Sequence, residues 1–290
     1  MAVKVWINGT VFDEADAKVS VFDRGFLYGD SVYEVLRTSG GRPVDLEPHL
    51  DRLGRSAAGL MLPMPPLDLL RGALAETLAA AANAEAYVRI VLTRGAGEIG
   101  LDTALAENPL RIVIVRPLAR PPAELYERGA TLQIVHVVRT SPRAIDPGVK
   151  SGNYLNSILA LAEARRAGAY EALMCDAHGR VAEGSSSNVF VVRGGVVATP
   201  PVDVGILRGI TRERVIELAR AEGIDVREQP LLPDDVRAAD EVFITSSIRG
   251  VLPIRAVDGR PVGRECPGPV TRRLMRAYDG FLDRVARGEA

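Results

Sequence analysis

The apolar residues of the first 117 positions repeat with two different periods. Val3, Val5 and Ile7 occupy alternate positions, and the Asn8-Gly9 pair after them is typical of a two-residue turn, which predicts a β-hairpin. Two later stretches carry apolar residues at helical spacing, and two short runs are apolar and β-branched as in buried strands. The predicted elements are helices over 48–60 and 67–82 and strands over 86–92 and 110–115. This mixture predicts a small α+β domain over 1–117.

Prolines interrupt the chain after this domain. Between Arg116 and Pro122, three of seven residues are proline, and proline continues neither a helix nor the interior of a strand. We therefore predict an interdomain linker over 118–124 and a larger domain over 125–290. A chain of 290 residues also exceeds what one hydrophobic core usually supports, which favours two domains.

The larger domain is predicted to contain both strands and helices. Strands are predicted at short apolar runs, and helices where apolar residues recur every three or four positions before a glycine. The predicted strands cover 132–138, 171–175, 188–192 and 241–245, and the predicted helices cover 154–166 and 211–222.

Composition and charge argue against several kinds of partner. A formal net charge of −1, from 36 basic and 37 acidic residues, gives no overall field for nucleic acid or an anionic membrane. No apolar run approaches the roughly 18 residues of a membrane span, and the first residues lack the pattern of a signal peptide. Cys175 and Cys266 indicate reduced thiols, and the three histidines have no metal-binding spacing. We expect a cytoplasmic protein without a metal site.

Three stretches combine glycine or hydroxyl side chains in the way that an anion pocket requires. Residues 207–211 place a glycine turn at the start of a predicted helix, where unpaired backbone N–H groups favour a phosphate. Residues 245–247 end one predicted buried strand, and residues 183–188 precede another. Taken singly, such features are more often helix caps or polar loops, and a lone lysine such as Lys150 is usually solvated.

The order of these stretches is more specific than any one of them. The series runs Tyr28-Gly29, Pro48 to Leu53, Tyr87-Val88-Arg89, Lys150-Ser151-Gly152-Asn153-Tyr154, Glu183-Gly184, Gly209-Ile210-Thr211-Arg212 and Thr245-Ser246-Ser247. In this order, over nearly the whole chain, it resembles the class IV, or fold-type IV, pyridoxal-phosphate aminotransferases.

The resemblance implies a fold and a cofactor. The fold would be the two-domain, α+β and α/β architecture of D-amino acid aminotransferase-like enzymes, with a small N-terminal α+β domain and a larger C-terminal domain with a β-barrel-like core. The cofactor would be pyridoxal 5′-phosphate, with Lys150 as its covalent anchor and as the amine that moves a proton on the substrate. Glu183 would keep the pyridine nitrogen protonated, so that the ring can absorb electrons. The resemblance also implies a homodimer in which loops of one small domain complete the neighbour's pocket.

Further residues are implied to bind the cofactor or the substrate. The guanidinium fork of Arg52 would bind the phosphate dianion. The implied cofactor-binding residues are Arg52, Lys150, Tyr154, Glu183, Leu207, Ile210, Thr211, Ser246 and Ser247. The implied substrate-binding residues are Tyr28, Tyr33, Tyr87, Arg89, Arg94, Ser247 and Ile248.

Features that bear on the substrate point in two directions. Tyr87-Val88-Arg89 resembles a triplet of the branched-chain aminotransferases. Thr93-Arg94-Gly95 and residues 183–188 are similar to the D-amino acid enzymes, yet the Arg-x-His pair that these enzymes commonly use is missing. Thr245-Ser246-Ser247 and Ile248-Arg249-Gly250 replace the Ser-Gly-Thr and Ala-Ala-Glu of typical branched-chain enzymes.

These features favour a transaminase that moves amino groups between L-branched-chain, or a broad range of, amino acids and a 2-keto acid such as 2-oxoglutarate. The resemblance implies two half-reactions with ping-pong kinetics. The alternatives are a D-amino acid aminotransferase, an R-selective amine transaminase, an aminodeoxychorismate lyase, and a scaffold that binds the cofactor without activity.

Overall fold

The computed structural model of the chain describes residues 2–289, which form two compact units. Unit 1 consists of 2–119, 149–153 and 282–289, and unit 2 consists of 120–148 and 154–281. The first break, between Ala119 and Arg120, lies within the predicted linker over 118–124. The segments 149–153 and 282–289 group with unit 1, although the proline pattern predicts a single domain over 125–290.

Unit 1 is built on an antiparallel sheet of six strands. Its elements are β1 (Lys4–Ile7), β2 (Thr10–Asp13), α1 (Arg24–Tyr28), β3 (Ser31–Ser39), β4 (Arg42–Pro43), α2 (Leu46–Gly59), α3 (Leu67–Ala81), β5 (Ala86–Thr93), β6 (Ala96–Gly97), a 3-10 helix (Thr103–Leu105), β7 (Ala106–Glu107) and β8 (Arg111–Pro117). The strand order is β2-β1-β8-β5-β3-β4, and β6 pairs separately with β7. The predicted hairpin is β1 with β2, in which Ile7 pairs with Thr10.

Helices α2 and α3 cover one face of this sheet. The side chains of a strand alternate between the two faces, so only every second residue points toward the helices. Along β5, the even-numbered residues from Ala86 to Leu92 are buried, and the odd-numbered ones are half-buried. The core formed with the helices includes Val32, Leu36, Leu50, Leu53, Leu70, Leu74, Val88 and Ile90. The opposite face of β5 therefore presents Tyr87 and Arg89, away from this core.

Unit 2 is built on a larger, mixed sheet. Its elements are α4 (Ala123–Arg128), β9 (Ala130–Ile134), α5 (Leu155–Arg166), β10 (Glu171–Cys175), β11 (Val181–Gly184), β12 (Asn188–Arg193), β13 (Val196–Thr199), a 3-10 helix (Val202–Val204), α6 (Ile210–Ala221), β14 (Val226–Glu228), α7 (Pro233–Arg237), β15 (Glu241–Ser246), β16 (Gly250–Val257), β17 (Arg260–Pro261) and α8 (Pro269–Arg287), whose last residues, from Leu282, group with unit 1.

The nine strands of this sheet curl into a half-barrel. Their order is β11-β10-β9-β16-β15-β12-β13-β14, with β17 paired to β16. Phe190 of β12 lies directly opposite Phe243 of β15, and their stacked rings are 4.8 Å apart at the centroids. Such aromatic cross-strand pairs stabilise a sheet beyond the area they bury. The predicted two-domain α+β fold is confirmed, and its barrel-like core is this curled sheet.

One predicted strand is too long. The prediction covers 132–138, whereas β9 ends at Ile134. Beyond it, the backbone N–H groups of His136 and Val137 donate to the Glu163 carboxylate of α5, at 2.8 and 3.4 Å. These donors are satisfied by a side chain, so the segment leaves the sheet. Among the described residues, no helix combines the length and apolar composition that a membrane crossing needs.

Candidate active site

The predicted anchor Lys150 is fixed by its backbone to the first residues of β3. Tyr33 donates its N–H to the Lys150 carbonyl at 3.0 Å, and the Lys150 N–H donates to Ser56 Oγ at 3.0 Å. Gly152 donates to the Ser31 carbonyl at 2.7 Å, and a Cβ at Gly152 would lie only 2.2 Å from Ser31 Oγ. A glycine two residues after the lysine therefore lets this segment lie against β3 within unit 1.

Two cations of unit 1 lie near the ring of one buried tyrosine. The Lys150 ammonium is 4.8 Å from the centroid of the Tyr33 ring, and the carbon of the Arg89 guanidinium is 3.8 Å from it. Tyr33 pairs with Val91 across the sheet, so Arg89 is its diagonal neighbour on the same face. Each cation is attracted by the ring. Their combined charge favours an anionic ligand here.

Arg52 lies in a buried ionic cluster on the opposite face of β3. Its Nε and Nη2 donate to the two carboxylate oxygens of Glu34, at 2.7 and 2.8 Å, and His49 Nδ1 is 2.7 Å from Glu34 Oε2. Burial alone would raise the pKa of the Glu34 carboxyl, but the charge and hydrogen bonds of Arg52, together with those of His49, hold that pKa at about 2. The predicted contact of Arg52 with a phosphate stays a prediction.

The other predicted substrate residues of unit 1 have protein partners of their own. Arg94 donates to both oxygens of Asp30, at 2.7 and 3.1 Å, and to the carbonyls of Leu60 and Met61. These bonds fix the guanidinium to the protein, and a substrate contact of Arg94 stays a prediction. Tyr28 is half-buried at the end of α1, with the Arg24 guanidinium 5.1 Å from its ring.

Tyr87 lies on the same face of β5 as Arg89. The Arg116 guanidinium is 5.2 Å from the centroid of the Tyr87 ring. Lys150, Tyr33 and Arg89 thus come together in unit 1, with Tyr87 on the face that carries Arg89. Their residue types suit a site that holds an anion and moves a proton.

In unit 2, the carboxylate of Glu183 is buried and paired with a cation. Arg139 Nη2 lies 2.8 Å from Glu183 Oε1. The Leu207 N–H donates to Glu183 Oε2 at 3.1 Å, and Asn188 Nδ2 donates to the same oxygen at 3.3 Å. Charged and polar donors therefore reach both oxygens of this carboxylate. This carboxylate can hold a positively charged ring nitrogen, as the sequence predicts for Glu183.

The predicted phosphate residues Ile210 and Thr211 begin α6. The N-cap of this helix is Gly209, which offers no side-chain cap. A Cβ at Gly209 would lie 2.0 Å from Asn188 Oδ1, so a larger residue here would require this amide to shift. The amide also donates to the Leu207 carbonyl at 3.0 Å. The start of α6 is thus tied to Glu183 through Asn188 and Leu207, and its first N–H groups are suited to an anion.

The remaining predicted residues of unit 2 lie at element ends. Tyr154 is the N-cap of α5, and its carbonyl accepts from the Ile158 N–H at 2.9 Å. Ser246 is the last residue of β15, and Ser247 and Ile248 form the turn that follows it. The cofactor and substrate roles of these residues stay predictions.

Sequence reasoning missed residues that fix the predicted ones, among them the members of buried ion pairs. Glu34 pairs with Arg52, Arg139 pairs with Glu183, and Arg249 pairs with the buried carboxylate of Glu171. Buried charges are normally paired, so each predicted ionic residue implies a partner. The sequence does not say which of its 36 basic and 37 acidic residues those partners are.

Comparisons with known proteins add an independent observation. The profile of the family described as Amino-transferase class IV matches residues 31–257. A protein of Methanocaldococcus jannaschii, whose name as a branched-chain-amino-acid aminotransferase is itself provisional, is 42% identical over 277 residues and covers 95% of both chains. The D-alanine aminotransferase of Bacillus licheniformis is 32% identical over 282 residues, 97% of both chains.

A solved structure is similar throughout. The crystal structure of the Escherichia coli branched-chain amino acid aminotransferase superposes with a TM-score of 0.92 at 35% sequence identity. The match covers 97% of this chain and 95% of that one.

Proposed function

Because the chain belongs to the class IV aminotransferases, we propose that it moves amino groups between L-amino acids, branched-chain ones among them, and 2-keto acids. The chain is an enzyme of this class, and enzymes of the class act with pyridoxal 5′-phosphate. The observation that carries the substrate proposal is the similarity to branched-chain aminotransferases over nearly the full length of both chains.

Each of the predicted cofactor residues offers a donor that suits one part of pyridoxal phosphate. An amine for covalent attachment is present in Lys150, which the bonds to Tyr33 and Ser56 hold. A buried carboxylate for the ring nitrogen is present in Glu183. The glycine N-cap of α6 leaves backbone donors for a phosphate. We therefore assign the cofactor to Lys150, Glu183, Ile210 and Thr211, with Arg52, Tyr154, Leu207, Ser246 and Ser247 as further ligands.

The roles of the protein groups follow from their charge. When bound, pyridoxal phosphate supplies an electron sink next to the substrate α-carbon. Lys150 Nζ would anchor the cofactor and, once free, take and return the proton of that α-carbon. Glu183 would keep the ring nitrogen positively charged, and Arg139 and the Leu207 N–H hold its carboxylate in place. Arg89 would attract the carboxylate of the substrate.

We expect an amino donor to reveal the preferred enantiomer. Mixed separately with the cofactor-loaded enzyme, L-leucine should change the absorbance of the cofactor at least about tenfold faster than D-alanine, because a chiral site orients the α-proton of one enantiomer toward the amine. Rapid-mixing spectroscopy without an acceptor measures the first half-reaction directly. A faster reaction with D-alanine would contradict the proposal. No reaction with either donor, and none with other amino acids, would refute aminotransferase activity.

The second candidate function is a D-amino acid aminotransferase. Its support is the similarity to the Bacillus licheniformis D-alanine enzyme over nearly all of the chain. The experiment with the two donors separates these functions, because a D-amino acid aminotransferase should react faster with D-alanine than with L-leucine.

We also propose that the enzyme is a homodimer. Leu155, Ile158 and Leu159 are 61%, 58% and 52% exposed and form one stripe on α5, and a contiguous exposed apolar surface indicates a partner. In unit 1, Ile99 and Leu101 are also exposed, in a loop whose carbonyls of Gly100 and Leu101 accept from Arg24. A second copy of the chain would cover these residues.

A charged residue introduced among Leu155, Ile158 and Leu159 of α5 should separate the subunits. We expect Ile158→Glu to shift sedimentation from dimer to monomer, because burying an unpaired carboxylate in an apolar interface is unfavourable. Arg166→Glu, at an exposed position at the end of the same helix, is the control and should remain dimeric. A wild-type enzyme that sediments as an active monomer would contradict the dimer.

The cytoplasm is the proposed location. Its support is that Cys175 and Cys266 are both free thiols, as in proteins of reducing compartments.

The substrates proposed above are small amino and keto acids.

A further inference from the structure

A second buried carboxylate in unit 2 lies next to the strand that carries Glu183. Glu171 belongs to β10, which pairs with β11, and it is almost fully buried. Its Oε1 accepts from the N–H of Ala172 at 2.9 Å and from the N–H of Ser185 at 3.1 Å, and it also accepts from the Ser185 hydroxyl. Its Oε2 accepts from Ser187 Oγ at 3.3 Å. Glu171 thus fixes the loop immediately after Glu183.

The same carboxylate also fixes the turn after β15. Arg249 Nη1 donates to Glu171 Oε2 at 2.6 Å, and Arg249 Nη2 donates to the hydroxyl of Ser186. The Arg249 carbonyl accepts from the Tyr126 hydroxyl at 2.9 Å. The turn is therefore held through both the side chain and the backbone of Arg249, which directly follows Ser247 and Ile248.

We propose that Arg249 is a positioning residue that sets the turn of Ser246, Ser247 and Ile248 against the loop after Glu183. This inference rests on the proposed function, in which these residues bind the cofactor and the substrate. The guanidinium links its own turn to β10 and to the loop after Glu183, since it contacts Glu171 and Ser186 with different nitrogens. A guanidinium can make two such contacts in fixed directions, whereas an ammonium is a single point charge. Arg249 acts through the turn and does not itself touch a reacting atom.

The ionic bond explains why an arginine stands at this position. Glu171 and Arg249 are 2% and 15% exposed in their side chains. A buried charge without its partner is strongly unfavourable. Removing either member would therefore release the turn or force water to enter, and both change the positions of Ser247 and Ile248. Because the two residues act through one bond, their effects should not be independent.

The test compares Arg249→Ala, Arg249→Lys, Glu171→Gln and the Arg249→Ala/Glu171→Gln double variant. For each protein, fluorescence titration gives the Kd for pyridoxal phosphate, kinetics with L-leucine give KM and kcat, and thermal unfolding is measured with and without cofactor. Arg237→Ala is the matched control, because Arg237 also pairs with a unit 2 carboxylate, Asp258, at 2.7 Å. Asp258 in turn accepts from the Ile134 N–H at 2.8 Å, away from the proposed ligands.

We expect the Kd for the cofactor and the KM for L-leucine each to rise about tenfold in Arg249→Ala and in Glu171→Gln, as for the loss of one charged hydrogen bond. In Arg249→Lys, the Kd and the KM should rise less, because lysine restores one of the two contacts. In the double variant, they should rise no further than in either single variant. Arg237→Ala should leave Kd and KM unchanged.

Several results would overturn this inference. One is a fall in unfolding temperature for the Arg249 and Glu171 variants with Kd and KM within twofold of wild type, as expected for a purely structural bond. Another is a double variant in which the two single effects multiply. If Arg249→Ala does not fold, Arg249→Lys and Glu171→Gln still decide the question. A wild-type enzyme that binds no cofactor would refute the proposed function, whereas unaffected variants of an active enzyme refute only the role of Arg249.

Discussion

Replacing Lys150 with alanine should abolish transamination while leaving cofactor binding measurable. The variant retains Glu183 and the start of α6, which are proposed to hold the ring and the phosphate, but it loses the amine that moves the α-proton. We expect kcat to fall by at least about 10⁴-fold, the upper range for the loss of a general acid-base group. Steady-state assays with L-leucine and 2-oxoglutarate measure the loss, and dialysis followed by absorbance spectroscopy measures the retained cofactor.

The composition makes the covalent assignment unusually easy to check. The chain contains three lysines, Lys4, Lys18 and Lys150. Lys4 bonds to Asp13 in the first hairpin, and Lys18 is exposed. Borohydride reduction of the cofactor-loaded enzyme, followed by peptide mapping, should place the label on Lys150. Lys18→Ala is the control and should keep full activity. A label on Lys4 or Lys18, or normal turnover in Lys150→Ala, would show that the anchor is assigned wrongly.

Among the substitutions proposed for this protein, Glu34→Gln should cause the largest decrease in the free energy of unfolding. The substitution leaves the buried guanidinium of Arg52 without its counter-ion, and breaking a buried pair in this way costs about 3–5 kcal/mol. Urea unfolding near pH 7 measures the difference in the free energy of unfolding. The control is Glu47→Gln on α2, the helix that carries Arg52, because Glu47 pairs with Arg71 at 2.7 Å but is exposed. An exposed pair contributes little, so the control should unfold almost as the wild type does.

The same substitution should remove part of the pH dependence of stability. The pKa of the Glu34 carboxyl is about 2 in the fold, against an ordinary value of 4.5. Between these values the unfolded chain binds the extra proton, so the stability from Glu34 is present above about pH 4.5 and is lost as the pH falls toward 2. The difference between wild type and Glu34→Gln should therefore shrink over this range. A difference that stays constant down to pH 2 would contradict a role for the ionised carboxylate.

Local signals in the sequence were sufficient for elements with a clear period. Helix α3 begins at Leu67 as predicted and ends at Ala81, one residue early. Strand β3 was not predicted, because all but one of its nine residues are buried, and a strand buried on both faces shows no alternation. The missed α8 carries Leu274, Tyr278 and Val285 at helical spacing, so its signal was present in the sequence.

The sequence predicts which residues belong to the site. It does not predict the hydrogen bonds and ion pairs that fix those residues. The motif order identified the family, and the family is shown by the comparisons. The bonds that fix the motif residues depend on long-range pairing, as between Lys150 and Ser56 or between Arg249 and Glu171. Such partners are separated by 94 and 78 positions. No local pattern encodes them, and only the folded chain selects one partner among many equivalent residues.

Strand β3 places neighbouring residues on opposite sides of the sheet of unit 1. Tyr33 lies with Lys150 and Arg89, and Glu34 lies with Arg52 and His49 beneath α2. A deletion of one residue before Tyr33 would exchange the two sides, and the carboxylate would then face the lysine while the phenol entered the ionic cluster. Natural variants should therefore keep the length of the chain between α1 and β3 constant.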